Sequence, residues 1–402
     1  MEEIYEKYGT RVMGDALTVK RKSQAAWIPE MDFLRAFAIL FVLAIHVIYL
    51  LSYRESAKFD ALLIVNLCLD VFSSVIAVPL FIFISGFVLC RAYYDNFNIS
   101  GFYKKRFKSI IPPYLIFSVL YIVFDNYLFG PVTFKDAFLR ILTASGYPHL
   151  WFFAMIIQLY ILYPLIIKLY RFFEKRSKVL LLIAASLLID IIWTSLMMSY
   201  QSRLSIGGFN VHVFFEMWLY FILGIHLGRN FEKCRSFMER VRWYLLVPVS
   251  ATLMLTICLL FLIPMKNGYN PLAQPYIPRP YWYSAFTLAP FLWISILPLL
   301  YKAALRIHDM QLASRIFGSI GKYSFGIYLV HVFYLVIFSL LLVRVGLGYG
   351  SWAFYPIMCL LTVGSSYATV WAISRLPYSE FLIGFGPSRA CKSREANENI
   401  TR

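Results

Sequence analysis

The sequence predicts an all-α fold: one polytopic membrane bundle of about ten transmembrane helices with both termini in the cytoplasm. Three observations carry this. The 402 residues are 60% hydrophobic and 18% aromatic with a mean hydropathy of +0.68, where soluble domains hold about 45–50% apolar residues. Apolar runs of membrane-crossing length follow one another at short intervals, which favours one bundle over several soluble domains. The charged residues, 15% of the chain, gather between those runs.

Taken in order, residues 1–26 are polar and close on "KRKSQAAW", a cationic anchor followed by an interfacial Trp27. No apolar region with a small-residue cleavage site precedes the first run, so that run is expected to stay as a helix. The expected spans are 31–51, 68–92, 110–129, 149–169, 178–198, 208–228, 243–264, 281–301, 322–343 and 352–374, within a membrane domain over 27–376. Between the third and fourth spans, 130–148 carries Phe134, Phe138 and Ile141 on one side of a turn or two and reads as a short helix at the outer interface. The loop 264–283 is rich in Pro and Tyr, as suits either a stiff connector with an aromatic belt or an acceptor-binding loop. Residues 377–402 form a cytoplasmic tail, whose stretch 386–402 is polar and expected to be disordered, and neither end is expected to carry a soluble domain. No internal repeat of the transporter kind is visible.

The net charge of +17 would suit nucleic acid if it were gathered on one face, but it follows the topology instead. Of the 38 Lys and Arg, 29 fall in the segments on the N-terminal side of the membrane and 8 in those opposite, with Arg35 inside the first span. That asymmetry places both termini in the cytoplasm, in a multi-pass protein of the plasma or inner membrane, and argues against nucleic acid as a partner. The six cysteines form no Cys-x-x-Cys and lie mostly in apolar segments, so neither a disulfide framework nor a zinc site is expected. The histidines lack a ligand spacing such as His-x3-His, so no metal is expected.

The first span, "EMDFLRAFAILFVLAIHVIYLLS", carries Asp32, Arg35 and His46. Charges in a bilayer core cost several kcal/mol, from ~2.5 upward for Arg, and normally face the bundle interior. Eleven residues separate Arg35 from His46, which at about 100° per residue is three turns plus roughly 20°, so the two side chains point the same way, about 16 Å apart along the axis. This stripe suits a ligand that enters from the cytoplasm, anchors an anionic end on Arg35 and extends a reactive end to His46. Asp32 lies within reach of Arg35, and the pair alone would equally suit a snorkelling boundary marker. A mid-membrane His46 needs a polar partner and titrates near neutrality. Tyr328 and His331 share one side of the ninth span, where His331 either reaches the cavity of His46 or ties helices together. His212 and Glu216, four apart, form either an acceptor contact or a buried polar network.

The run "MDFLRAFAILFVLAIHV" resembles the first helix of the acyltransferase family 3 membrane proteins. Further stretches match that family in order: "VPLFIFISGFVL" (78–89), "FYKKRFKSIIPPYLIF" (102–117), "HLWFFAMIIQLYILYPLI" (149–166), "YFILGIHLGR" (220–229) and "IGKYSFGIYLVH" (320–331). Together they cover most of the ten spans. The resemblance implies a bundle of about ten helices that acylates cell-surface glycans and related acceptors, drawing on cytoplasmic acyl-CoA as donor substrate with no permanently bound cofactor. It makes His46 the essential histidine and Arg35 its partner, and sets Lys104, Lys105, Arg106 and Lys108 before "IIPPY", where the family meets the phosphates of the donor. Many members carry a second arginine three residues after the first; here Ser109 stands there, and Lys108 supplies a point charge without a guanidinium's bidentate grip. Ser85 and Gly86 match the family's "SGF", with Gly86 as a packing residue and Ser85 as a hydrogen-bond donor to the site. Trp151 matches its "LWF", where aromatic-belt anchoring is the plainer role.

The expected reaction is transfer of an acyl group, most simply acetyl, to a hydroxyl of a polysaccharide or lipid-linked sugar. His46 then acts as general base, Asp32 or Arg35 orients or anchors, and Ser85 or Tyr328 stabilises the oxyanion. A nucleophilic His46 is the chemical alternative, and a glycan exporter using the same polar path is the rival function.

Overall fold

The structure, a computed structural model, describes residues 28–50, 59–200, 205–206, 209–267 and 279–385. The N-terminal anchor, most of the 264–283 loop and the polar tail lie outside these residues.

Helix α1 (Pro29–Tyr49) begins on a proline at its first position, where the missing N–H has no partner to lose. Helix α2 (Ala61–Tyr93) starts seven residues before the expected span, where Asp60 caps it by accepting from Leu63 N at 2.9 Å. Helix α3 (Ile99–Phe129) likewise starts early, on Asn98, whose side chain accepts from Gly101 N at 3.1 Å. The basic run 104–108 therefore stands on a helix and not in a loop. Next come the short α4 (Phe134–Leu142), then α5 (Trp151–Lys175) and α6 (Val179–Tyr200). A two-residue antiparallel pair follows, β1 (Ser205–Ile206) with β2 (Phe209–Asn210).

The chain continues through a 3-10 turn (Phe214–Met217), α7 (Trp218–Arg229), α8 (Phe231–Arg240), α9 (Trp243–Lys266) and α10 (Arg279–Asp309). It ends in α11 (Gln311–Arg344), α12 (Phe354–Ile373) and α13 (Ser379–Ile383). Among the described residues, eight helices are long and apolar enough to cross a membrane: α1, α2, α3, α5, α9, α10, α11 and α12. The molecule is an all-α polytopic bundle.

Two expected spans take other forms. In α6 the described apolar stretch, Val179–Thr194, is shorter than a full crossing. The span 208–228 is not one helix; its first half is strand and 3-10 turn. Non-helical backbone at membrane depth survives only where its polar groups are satisfied from within the protein. Gln158 of α5 does this here, donating to His212 O at 2.8 Å and accepting from Phe214 N at 3.1 Å.

The interfacial helix has the expected place in the chain. Thr133 caps α4, and Arg140 holds it to α3 through Asp125 at 2.5 Å. Phe134 and Phe138 are exposed, as expected, together with Leu142, whereas Ile141 packs against the core.

The core sits where α1 and α7 flank α2, with α11 on the far side of α1. Two crossings depend on glycine. A Cβ on Gly86 of α2 would strike the backbone of Phe221, and one on Gly321 of α11 would strike the backbone of Asp32. Small residues allow such approach, which in lipid supplies much of the helix association. Gly321 thereby seats α11 against the stretch of α1 that bears Asp32 and Arg35. At the helix ends beside Ser177, Glu174 joins α2, α5 and α7 by accepting from Tyr94 and, at 2.9 Å, from Arg229 Nε.

Candidate functional site

Arg35 and His46 hold different parts of one polar path. Arg35 makes an ion pair with Asp32 one turn away, and both side chains are largely covered. Arg35 also lines a cavity of about 220 Å³ enclosed by α1, α2, α3, α5, α11 and the end of α13. Ser85, Arg106, Ser109, Ser324 and Tyr328 supply its other polar groups, among aromatic and aliphatic walls. Of the basic run only Arg106 turns inward. Its guanidinium lies over the rings of Tyr160, Tyr93 and Phe102 at 5.6, 5.8 and 5.9 Å, and its buried Nε has no partner. Because each residue turns a helix by about 100°, its neighbours leave that face. Lys105 is exposed, and Lys108 pairs with Glu380 and lies 5.1 Å from the ring of Phe381. Ser109, at the place of the family's second arginine, bonds Arg106 O at 3.3 Å and lines the cavity.

His46 does not line this cavity; it stands beyond it, in a cluster of imidazoles. Its Nδ1 donates to Val42 O at 2.8 Å, which leaves Nε2 as the nitrogen with the lone pair. The His331 ring lies edge-on at 4.9 Å between centroids, and that ring donates from Nδ1 to Tyr328 O at 2.7 Å. Tyr328 joins the two regions, lining the cavity and donating its hydroxyl to the backbone oxygen of His149. Arg35, Ser85, Arg106 and Tyr328 thus meet in one cavity, with His46 and His331 behind Tyr328.

A second polar group forms at the start of α5. Trp151 packs against His212 with ring centroids 4.9 Å apart, and His212 Nδ1 lies 3.2 Å from Glu216 Oε2. The three residues expected on the acceptor side are therefore neighbours. Gln158, which fixes the backbone beneath them, and the buried Asp190 of α6, whose Oδ1 has no partner, belong to the same region. Sequence reasoning passed over both. An acid at the centre of an apolar run was a usable sign for Asp190, but Gln158 carried none.

His149 was also missed as a site residue. It sits in the turn before α5, 1% exposed, with its ring 5.2 Å from that of His331 and 6.2 Å from that of His46. Its place directly before "LWF" gave no hint, because the contact is made across three distant segments. Among the described residues no group of three or more His, Cys, Asp or Glu is arranged to hold a metal ion.

A family model described as an acyltransferase domain matches residues 28–371. Among curated proteins, the chain is similar to YfiQ of Bacillus subtilis (strain 168), provisionally named a membrane-bound acyltransferase, at 25% identity over 89% of this chain and 94% of the relative. It is also similar to a Staphylococcus epidermidis protein provisionally named a poly-beta-1,6-N-acetyl-D-glucosamine export protein, at 25% identity over 75% of this chain and 79% of that one. No solved structure matches.

Proposed function

Since the chain belongs to the family of membrane acyltransferases whose model spans residues 28–371, we propose that it moves an acyl group, most simply acetyl, from cytoplasmic acyl-CoA to a hydroxyl of a cell-surface polysaccharide or lipid-linked sugar. The observation that carries the reading is the order of groups along one path. Tyr328 lines the cavity with Arg35 and Arg106, its ring lies 5.8 Å from that of His331, and the His331 ring lies 4.9 Å from that of His46.

Ligand pockets usually run to about 300–1,000 Å³, so a cavity of about 220 Å³ suits the acyl-bearing arm of the donor and not the whole molecule. Arg35, oriented by Asp32, and Arg106 are the cations for its anionic end. Lys105 and Lys108 face away from the cavity and contribute field, not contact. The acceptor hydroxyl gives its proton to His46 Nε2 as its oxygen attacks the thioester carbonyl. Ser85, or Tyr328 if its hydroxyl turns from His149 O, donates to the oxyanion, and collapse breaks the carbon–sulfur bond and returns the proton to the thiolate. Trp151, His212 and Glu216 form a separate polar surface suited to the acceptor sugar. A nucleophilic His46 would hold the acyl group as an acyl-imidazole, which labelled donor would trap in the absence of acceptor.

The name of the Staphylococcus epidermidis relative favours a second reading, export of a glycan along the same polar path. Mass spectrometry of surface glycans from cells with and without the gene separates the two. Transfer predicts the same glycan minus an acyl mass in the deletion strain; export predicts loss of the glycan itself.

A further inference from the structure

His149 has two buried ring nitrogens, neither with a hydrogen-bond partner, and the Nε2 of His331 is also buried and unpaired. Leaving such groups unmade costs about 1–3 kcal/mol each, so their partners are to be sought nearby. The three rings lie edge-on to one another, with centroids 4.9, 5.2 and 6.2 Å apart. Three tyrosines pack around His149: Tyr121, Tyr328 and Tyr147, at 4.8, 5.4 and 6.0 Å between ring centroids. Two of their hydroxyls are engaged with backbone oxygens, Tyr121 with Leu329 and Tyr328 with His149 itself. The hydrogen bonds of His46 and His331 go to backbone oxygens, and among the described residues none of the three imidazoles is hydrogen-bonded to a carboxylate.

The tautomers decide what the rings can do. His46 and His331 each commit Nδ1–H to a backbone carbonyl, at 2.8 and 2.7 Å. Each therefore presents a lone pair at Nε2, and two lone pairs cannot bond one another. His149 is the ring of the three with no nitrogen tied to the backbone, and a neutral imidazole of that kind holds one donor and one acceptor. Its N–H suits the lone pair of one neighbour, and its own lone pair suits the other once that ring has gained a proton.

We propose that His149 is a positioning residue of the acyl-transfer site: it donates to the Nε2 of His331 and offers its other ring nitrogen to His46, and so lets the proton taken up at His46 Nε2 be shared over the three clustered imidazoles. The inference rests on His46 as the base in the reading above. A catalytic imidazolium is commonly oriented and stabilised by a carboxylate; among the described residues His46 bonds a backbone oxygen instead, and the imidazole cluster takes that part. The proton leaves the acceptor O–H for His46 Nε2 and is held over the cluster while the tetrahedral intermediate stands. It goes to the thiolate sulfur when the carbon–sulfur bond breaks. The three rings end as they began.

The test has two arms. In the first, solid-state NMR of the full chain with 15N-labelled histidine in lipid reads the ring nitrogens without any substrate. The Nε2 signal of His331 is expected off the free, non-bonded position and is expected to return to it in His149→Phe. A His331 Nε2 signal at the free position in the wild type, or unmoved in the variant, overturns the proposal. The wild-type spectrum alone decides the matter if His149→Phe fails to fold. In the second arm, acyl transfer from acetyl-CoA is followed in the same preparations. His149→Phe lowers kcat at least about tenfold with the donor KM unchanged, and His149→Gln, which keeps a donor and an acceptor, recovers part of the loss. Equal kcat in His149→Phe and wild type contradicts the assignment. A bonded cluster in the first arm with no transfer by the wild type in the second would instead contradict the acyl-transfer reading.

Discussion

Arg35 and Arg106 are the two cations of the cavity, and their replacements should behave unlike those of their exposed neighbours. Arg35→Lys keeps the charge and loses the fork that grips an anionic oxygen pair. The donor KM should rise about tenfold with kcat little changed, since a charge-assisted hydrogen bond contributes about 1.5–3 kcal/mol. Arg106→Ala should raise the same KM at least as much, while Lys105→Ala, at an exposed position, should leave it within about twofold, in keeping with the small contribution of exposed charges. Initial rates against acetyl-CoA concentration check all three, and equal effects at 105 and 106 would show that the run acts as a diffuse field. Sequence spacing alone made Arg35 and His46 legible as one stripe, because a single helix fixes their relation. It could not tell Arg106 from Lys105 or Lys108, since a charge run before an apolar span reads as topology throughout.

At the scale of elements, the seat of the site is a contact between backbones. Gly321 brings α11 against Asp32 so closely that a Cβ has no room. Gly321→Ala should therefore cost about 1–3 kcal/mol, the usual penalty of overpacking. It should lower the melting temperature of the purified protein and move α11, with Tyr328 and His331, away from α1. An unchanged melting temperature would mean that this contact yields freely. Helices α1, α9 and α12 were legible to within about two residues, because an unbroken apolar run of about twenty residues is the length a bilayer demands of a helix, whereas α5 runs six residues past its expected end. The caps that lengthen α2 and α3, Asp60 and Asn98, lie outside the apolar runs and were passed over. The broken span before α7 was hidden by its composition: it is apolar enough for a helix, and what satisfies its non-helical backbone is a side chain of another element, Gln158.

For the whole molecule, the excess of Lys and Arg on one side predicts both termini in the cytoplasm. The segments before and after α5 give a direct test. In a background without the native cysteines, Lys135→Cys should react with a membrane-impermeant maleimide in intact cells, and Ser177→Cys should react only after lysis; both positions are exposed. The reverse pattern would place the Arg35 end outside and remove the cytoplasmic donor. Bundle, approximate helix count and family were readable from the sequence. The meeting of His46, His149 and His331 was not, since it joins α1, a turn and α11, and only tertiary packing brings those together.

The central claim is that His46 is the base of an acyl transfer. The most direct measurement is the rate of acetyl transfer from labelled acetyl-CoA to membrane glycan by purified wild type and His46→Ala in lipid nanodiscs, with folding checked by melting temperature. Loss of a general base removes about 10²–10⁴-fold. The account predicts a loss of that size in a variant that remains folded and binds the donor; transfer by His46→Ala at the wild-type rate would contradict it.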